Sequence, residues 1–177
     1  TGWLPHPGAR MVAYDVRHRR RVAFGSAGAP KVSLGQALRS SWAIPGWMPP
    51  VAVGDALYVD GGAASTASVD LIGPDCADLI YLIAPMASAP GTRVPGVGGR
   101  LEYAALRRPM STVLRRELAT VRARGQRVVE ILPSADDLAG LGANFMNRSR
   151  RAAAFESAMT TAPATVSRAL ADSSARG

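Results

Sequence analysis

The stretch SSWAIPGWMPPVAVGDALYVDGG, residues 40–62, changes backbone character three times in 23 residues. It opens on the end of a helical pattern: Ser33 reads as an N-cap, and Leu34, Ala37 and Leu38 fall at helical spacing. Pro45 disfavours α geometry in the residue before it, and Pro49 and Pro50 cannot continue a helix. VAVGDALYVD then reads as a tight hairpin about Gly54-Asp55 that delivers Asp60 directly in front of Gly61 and Gly62. An Asp-Gly pair alone signals a turn. A carboxylate at a strand end, placed there by a helix, a proline-rich turn and a hairpin in succession, is a candidate for chemistry.

Upstream, MVAYDVRHRRRVAFG (residues 11–25) predicts two strands around the basic turn Arg17 to Arg20, with apolar residues on both sides of a solvated tip. Downstream, ADLIYLIAP (77–85) and QRVVEILP (126–133) are continuous apolar runs, the pattern of strands buried on both faces of a parallel sheet. Between them the glycine-rich SAPGTRVPGVGGR (88–100) reads as a flexible loop. The helical stretch that follows has Pro109 kinking it or opening its main helix, and Gly125 as its C-cap. After the proline, Val113, Leu114, Leu118 and Val121 form an apolar stripe, with the arginines largely on other faces. Strand, crossover helix and strand make a βαβ unit. The segment from Asn147 to Leu170 is expected to be helical with a break near Pro163, and 171–177 to be a frayed tail.

The 177 residues suffice for one domain with a sizeable core. The chain has 21 basic and 13 acidic residues, a net charge of +8, and Lys31 is its only lysine. Arginine pairs bidentately with phosphate and carboxylate, so the charge alone suits nucleic acid, an acidic partner or an anionic membrane surface. Nucleic-acid sites normally add interleaved aromatics or a reading helix, and the run Arg17 to Arg21 has neither. Cys76 is alone, which leaves no intrachain disulfide framework and no thiolate cluster. The opening TGWLPHPGAR lacks the apolar core of a signal peptide, and the longest apolar run, LIYLIAPMA, falls well short of a bilayer span.

Other candidates are weaker. The 88–100 loop fits neither G-x-G-x-x-G nor the P-loop, whose mechanics need a strand–loop–helix register. His18 stands among arginines that disfavour its protonated form, and His6 lies between prolines; neither has ligands at metal spacing. Thr1 has the chemistry of an N-terminal nucleophile but nothing in the sequence that builds a pocket around it. No cofactor is expected.

The stretch from Lys31 to Gly62 resembles the patatin-like phospholipase family. There a helix of the type A-x-x-A-S-x-A-x-P leads through a proline-rich turn and a short hairpin into Asp-Gly-Gly or Asp-Gly-Ala; here it reads ALRSSWAIP, with Ser40 in place of the second alanine. The run ANFMNRSRRAAAFESAM also resembles the family's later helical region. The resemblance implies an α/β, three-layer αβα fold and a serine–aspartate dyad acting on lipid esters. Asp60 would be the catalytic carboxylate, with Gly61 and Gly62 supporting it by letting the backbone turn without a side chain.

The family's nucleophile lies in a G-x-S-x-G elbow, and no serine here has glycine two residues before and two after; FGSAGAP comes nearest, with Phe24 in the first glycine's place, so Ser26 is not assigned. The resemblance therefore makes residues 1–170 the C-terminal portion of a single patatin-like domain. The serine and oxyanion loop would lie on an N-terminal portion, a separate chain or one lost. A sheet without its first strands exposes an apolar edge, which requires such a partner. The expected function is a lipid acyl hydrolase (a phospholipase or esterase). The alternatives are a non-catalytic scaffold subunit of the same fold and, less favoured, a basic nucleic-acid-binding module. Expected partners are the lipid ester, the N-terminal portion and the surface of an anionic membrane, and the expected location is cytoplasmic or peripheral to a membrane.

Overall fold

The computed structural model describes residues 3–144 and 146–174. Thr1, Phe145 and residues 175–177 of the expected tail, on which three of the readings above touch, lie outside the described residues. The chain is a mixed α/β protein whose contacts divide into two compact units, Thr1–Leu71 and Ile72–Gly177.

The first unit is an antiparallel sheet covered by one helix. Strands β1 (Met11–Asp15) and β2 (Arg20–Phe24) form the predicted hairpin, with Met11 opposite Phe24 and Asp15 opposite Arg20. Its tip is fastened by Asp15: Oδ1 accepts the Arg17 and His18 backbone N–H groups, each at 3.1 Å, and Oδ2 lies 2.7 Å from His18 Nδ1. Helix α1 (Leu34–Ser41) starts in a capping box in which Ser33 and Gln36 satisfy one another's backbone N–H groups. The second hairpin, β3 (Val51–Val53) and β4 (Ala56–Asp60), turns in two residues. Gly54 takes a φ of +61° at the first of them, the position where a II′ turn requires glycine. The strand order is β2-β1-β4-β3. One face of this sheet buries Ala13, Val22, Phe24, Ala56 and Tyr58 with Ala37 of α1, and the Phe24 and Tyr58 rings meet edge to face at 5.0 Å. The Arg21 guanidinium, from the opposite face, forks onto Asp70 at 2.6 and 2.9 Å.

In the second unit, β5 (Leu79–Ile83) and β6 (Arg127–Ile131) pair in parallel, Leu79 opposite Arg127 and Ile83 opposite Ile131. The connection between them is helical, as predicted, though its start differs. The last residues of the expected flexible loop, 96–100, are helical and with Leu101 and Glu102 form helix α2 (Gly96–Glu102). A π turn at Tyr103–Arg107 joins α2 to α3 (Arg108–Ala123) without a break. Pro109 sits in the first turn of α3, and the wider π turn relieves the clash its ring would make with the preceding carbonyls. Leu114, Leu118 and Val121 of the stripe are buried, together with Glu117.

Three expectations are corrected here. Only β6 is buried on both faces, through Val128 and Val129; on β5, Ile80 and Leu82 are buried while Tyr81 and Ile83 are 60% and 72% exposed. The apolar run reads the same for one covered face as for two. Helix α4 (Ala135–Leu141) and helix α5 (Arg151–Ser174) complete the unit, and α5 passes through Pro163 unbroken. Residues 171–174, expected in the tail, belong to its last turn. The turns leading into the proline are held by tertiary contacts: the Ser157 and Thr161 hydroxyls both donate to Asp137 Oδ1 of α4.

Among the described residues no helix is long and apolar enough to cross a membrane.

Candidate active site

Asp60 ends β4 on the face that α1 covers, because it stands opposite Ala13 of β1 and two residues beyond Tyr58. Its backbone N–H donates to the Ala43 carbonyl at 2.9 Å, which ties the strand end to the segment leaving α1. The side chain caps the turn that follows: Oδ1 accepts the Gly62 N–H at 2.7 Å, at the head of a short 3-10 turn over Gly61–Ala63. Among the described residues Oδ2 accepts no hydrogen bond. The helix, proline-rich turn and hairpin thus converge on one half-buried carboxylate with one oxygen held and the other available.

The two glycines contribute by lacking a side chain. Neither has a positive φ. Gly61 is instead squeezed against β1: a Cβ there would fall 2.8 Å from the Val12 carbonyl oxygen. At Gly62 a Cβ would lie 3.1 Å from the very Oδ1 that its N–H holds. The need is for space, not for a left-handed backbone. The chain then tightens again at Ser65, whose hydroxyl accepts the Ala67 and Ser68 N–H groups at 3.2 and 2.9 Å, with Ser68 at a φ of +51°.

Beside the anchor at Ala43, the residues leaving α1 present apolar side chains outward. Trp42 and Trp47 are 75% and 64% exposed, and Leu38 and Met48 are exposed with them. Patches of this kind mark contact surfaces on soluble proteins. Arg39, near the end of α1, and Lys31, just before its cap, are exposed as well.

His18 is fixed in the first hairpin tip by Asp15, a pairing that sequence spacing did not single out. Burial alone would push the Asp15 carboxyl up, but the backbone and ring hydrogen bonds of His18 and the Arg17 N–H outweigh it, and Asp15 titrates below the usual carboxylate range. Asp15 stands opposite Tyr58 while Asp60 stands opposite Ala13, so the two carboxylates are two residues apart along β1, about 7 Å at the rise of an extended strand. The histidine therefore serves the hairpin tip and not Asp60. Ser40, where the resemblance expects alanine, is fully buried, and its hydroxyl has no hydrogen-bond partner among the described residues. Ser26 lies in the turn after β2, its N–H donating to the Ala23 carbonyl at 3.1 Å, with none of the geometry of an elbow between strand and helix. Among the described residues no three His, Cys, Asp or Glu side chains gather closely enough to hold a metal ion.

Residues 6–71 match the model of the family described as patatin-like phospholipase, a lipid-hydrolase family. The matched segment contains both hairpins, α1, the exposed tryptophans and the Asp-Gly-Gly turn. No curated protein matches the chain.

Proposed function

We propose that this chain supplies the carboxylate of a serine–aspartate dyad in a lipid acyl hydrolase, with Asp60 as the general base. The observation that carries the reading is the division of labour at Asp60: Oδ1 is held by the Gly62 N–H and Oδ2 is left for a second donor. In this mechanism a serine on a G-x-S-x-G segment N-terminal to these residues hydrogen-bonds to Oδ2. As its Oγ attacks the ester carbonyl, the hydroxyl proton passes to Asp60. The tetrahedral intermediate collapses, the alcohol leaves with that proton, and an acyl-serine remains. Water then attacks the acyl-serine, giving a proton to Asp60; as the second tetrahedral intermediate collapses, the serine Oγ leaves and takes that proton back, and the fatty acid is released. Backbone N–H groups on the same N-terminal portion stabilise the oxyanion. The exposed Leu38, Trp42, Trp47 and Met48 provide apolar surface for an acyl chain next to the base. In this reading the enzyme works in the cytoplasm or at a membrane periphery, where Arg39 and Lys31 suit an anionic surface.

The test is Asp60→Asn in the polypeptide that includes the serine-bearing portion. Asparagine keeps an oxygen for the Gly62 N–H but accepts no proton, so hydrolysis of a short-chain p-nitrophenyl ester is expected to fall about 10²–10⁴-fold with the thermal melt unchanged. Asp55→Asn, in the hairpin turn, serves as the control that keeps its activity. Full activity in Asp60→Asn at an unchanged melt would refute the dyad. The Oδ1 cap favours a second reading, a scaffold subunit in which Asp60 only closes its turn; under it, hydrolysis is insensitive to both substitutions.

A further inference from the structure

The second unit contains a cleft of about 490 Å³ that the dyad does not use. It opens where ligands of α/β folds gather, beyond the carboxyl ends of parallel strands. The segment after β5 (Ala87 to Pro90) and the segment after β6 (Leu132 to Ser134) form its floor, and α3 and α5 its sides. Its volume falls in the range of small-molecule sites.

Two properties of the walls define what would fit. The first is charge set into apolar surface. Leu114, Leu118, Leu132 and Ala169 line the cleft together with Arg108, Arg115 and Arg168. Arg115 is turned onto its own helix, donating to the Ser111 carbonyl and the Thr112 hydroxyl. No hydrogen bond among the described residues engages the guanidinium of Arg108 or Arg168. Two carboxylates share the lining; Glu130 is taken by Arg122, and Asp172 follows Arg168 by one turn of α5.

The second property is an unspent hydroxyl. Ser88 lies in the wall at 7% exposure, and its Oγ is buried with no hydrogen-bond partner among the described residues. A buried polar atom left unpaired costs free energy, which a ligand oxygen within its reach recovers. The position of Ser88 is built rather than accidental. Its N–H donates to Ser111 Oγ at 3.1 Å, and Arg107 holds the carbonyls just before it, Pro85 at 3.0 Å and Ala87 at 3.2 Å.

We propose that this cleft binds a small amphiphilic carboxylate, its head group between the Arg108 and Arg168 guanidinium groups and the Ser88 hydroxyl, its short apolar tail against Leu114, Leu118 and Leu132. Arginine's planar fork matches a carboxylate bidentately, and the leucines give the tail a dry wall. The site is independent of the dyad: Asp60→Asn leaves binding unchanged.

Calorimetric titration of the protein with octanoate tests this, with 1-octanol and inorganic phosphate as comparison probes. One saturable octanoate site is expected, with 1-octanol and phosphate each bound at least about tenfold more weakly. A charge-assisted hydrogen bond of ordinary strength is worth that factor or more, so Arg168→Gln and Arg108→Gln each weaken octanoate by about tenfold or more, and Ser88→Ala weakens it by less. Both arginines are exposed, so these variants keep the wild-type circular dichroism. Absence of saturable octanoate binding overturns the proposal, as does binding indifferent to both arginine substitutions. Octanol binding as tightly as octanoate refutes the anionic head group, and phosphate binding as tightly refutes the apolar tail.

Discussion

Arg107→Met should be among the most destabilising single substitutions in the chain, and the structure sets its size. The Arg107 side chain is fully buried between α2 and the loop after β5. Its Nε and Nη2 approach Glu102 Oε1 at 3.0 and 2.9 Å, and its Nη1 reaches the Pro85 and Ala87 carbonyls. Methionine fills most of the volume but leaves a carboxylate stranded at 5% side-chain exposure and two carbonyls without their donor. Removing one partner of a buried ion pair costs about 3–5 kcal/mol, most of it the desolvation of the charge left behind. For a chain of this size that is a fall in Tm of roughly 6–20 °C. Urea unfolding followed by far-UV circular dichroism measures it directly, provided the m-value stays constant. The argument requires more than a large number. Arg107→Met combined with Glu102→Leu removes the stranded charge and should recover most of the loss. A single-variant cost below about 1 kcal/mol would refute the buried pair. A double variant no more stable than the single would show that the carbonyls, not the carboxylate, set the cost.

Ser40→Ala should raise stability by about 1 kcal/mol, since it deletes a buried hydroxyl that has no partner among the described residues; a lower urea midpoint would show that the hydroxyl is satisfied after all. Asp15 makes stability depend on acid: its folded-state pKa lies below that of the unfolded chain, so its contribution is complete above about pH 4 and is lost as pH falls through the folded value. Asp15→Asn should therefore flatten the acid limb of a plot of unfolding free energy against pH, and an unchanged limb would remove Asp15 from that account.

Features governed by neighbours in sequence were legible. Both hairpins, the Ser33 cap, the Pro109 helix start and the parallel pairing of β5 with β6 follow from turn residues, caps and apolar runs. Where distant residues decide, the sequence misleads. Pro163 carries a local instruction to stop, yet the helix continues, its preceding turns held to the α4 carboxylate Asp137 by the Ser157 and Thr161 hydroxyls. Gly61 reads as a flexible turn residue, but its requirement comes from Val12, nearly fifty positions away. The place of Asp60 was legible because helix, prolines and hairpin all precede it directly; the freedom of its second oxygen was not. Nor was the cleft, whose walls come from segments between Ala87 and Asp172 that share no motif.

The unbroken course of α5 through Pro163 has a mechanical consequence. A proline contributes no N–H, so the ladder lacks the rung that would join residue 163 to the carbonyl of Met159, on the solvent side of the helix. The 24 residues are continuous in path but not in stiffness. Arg151 to Met159 is one strut, clamped to α4 at Ser157, and the remainder after Pro163 is another, carrying Arg168 and Ala169 to the edge of the cleft. Bending strain in a rod concentrates at its missing rung. A load applied at the cleft end is therefore concentrated between Met159 and Pro163, the stretch in which Thr161 is held to Asp137.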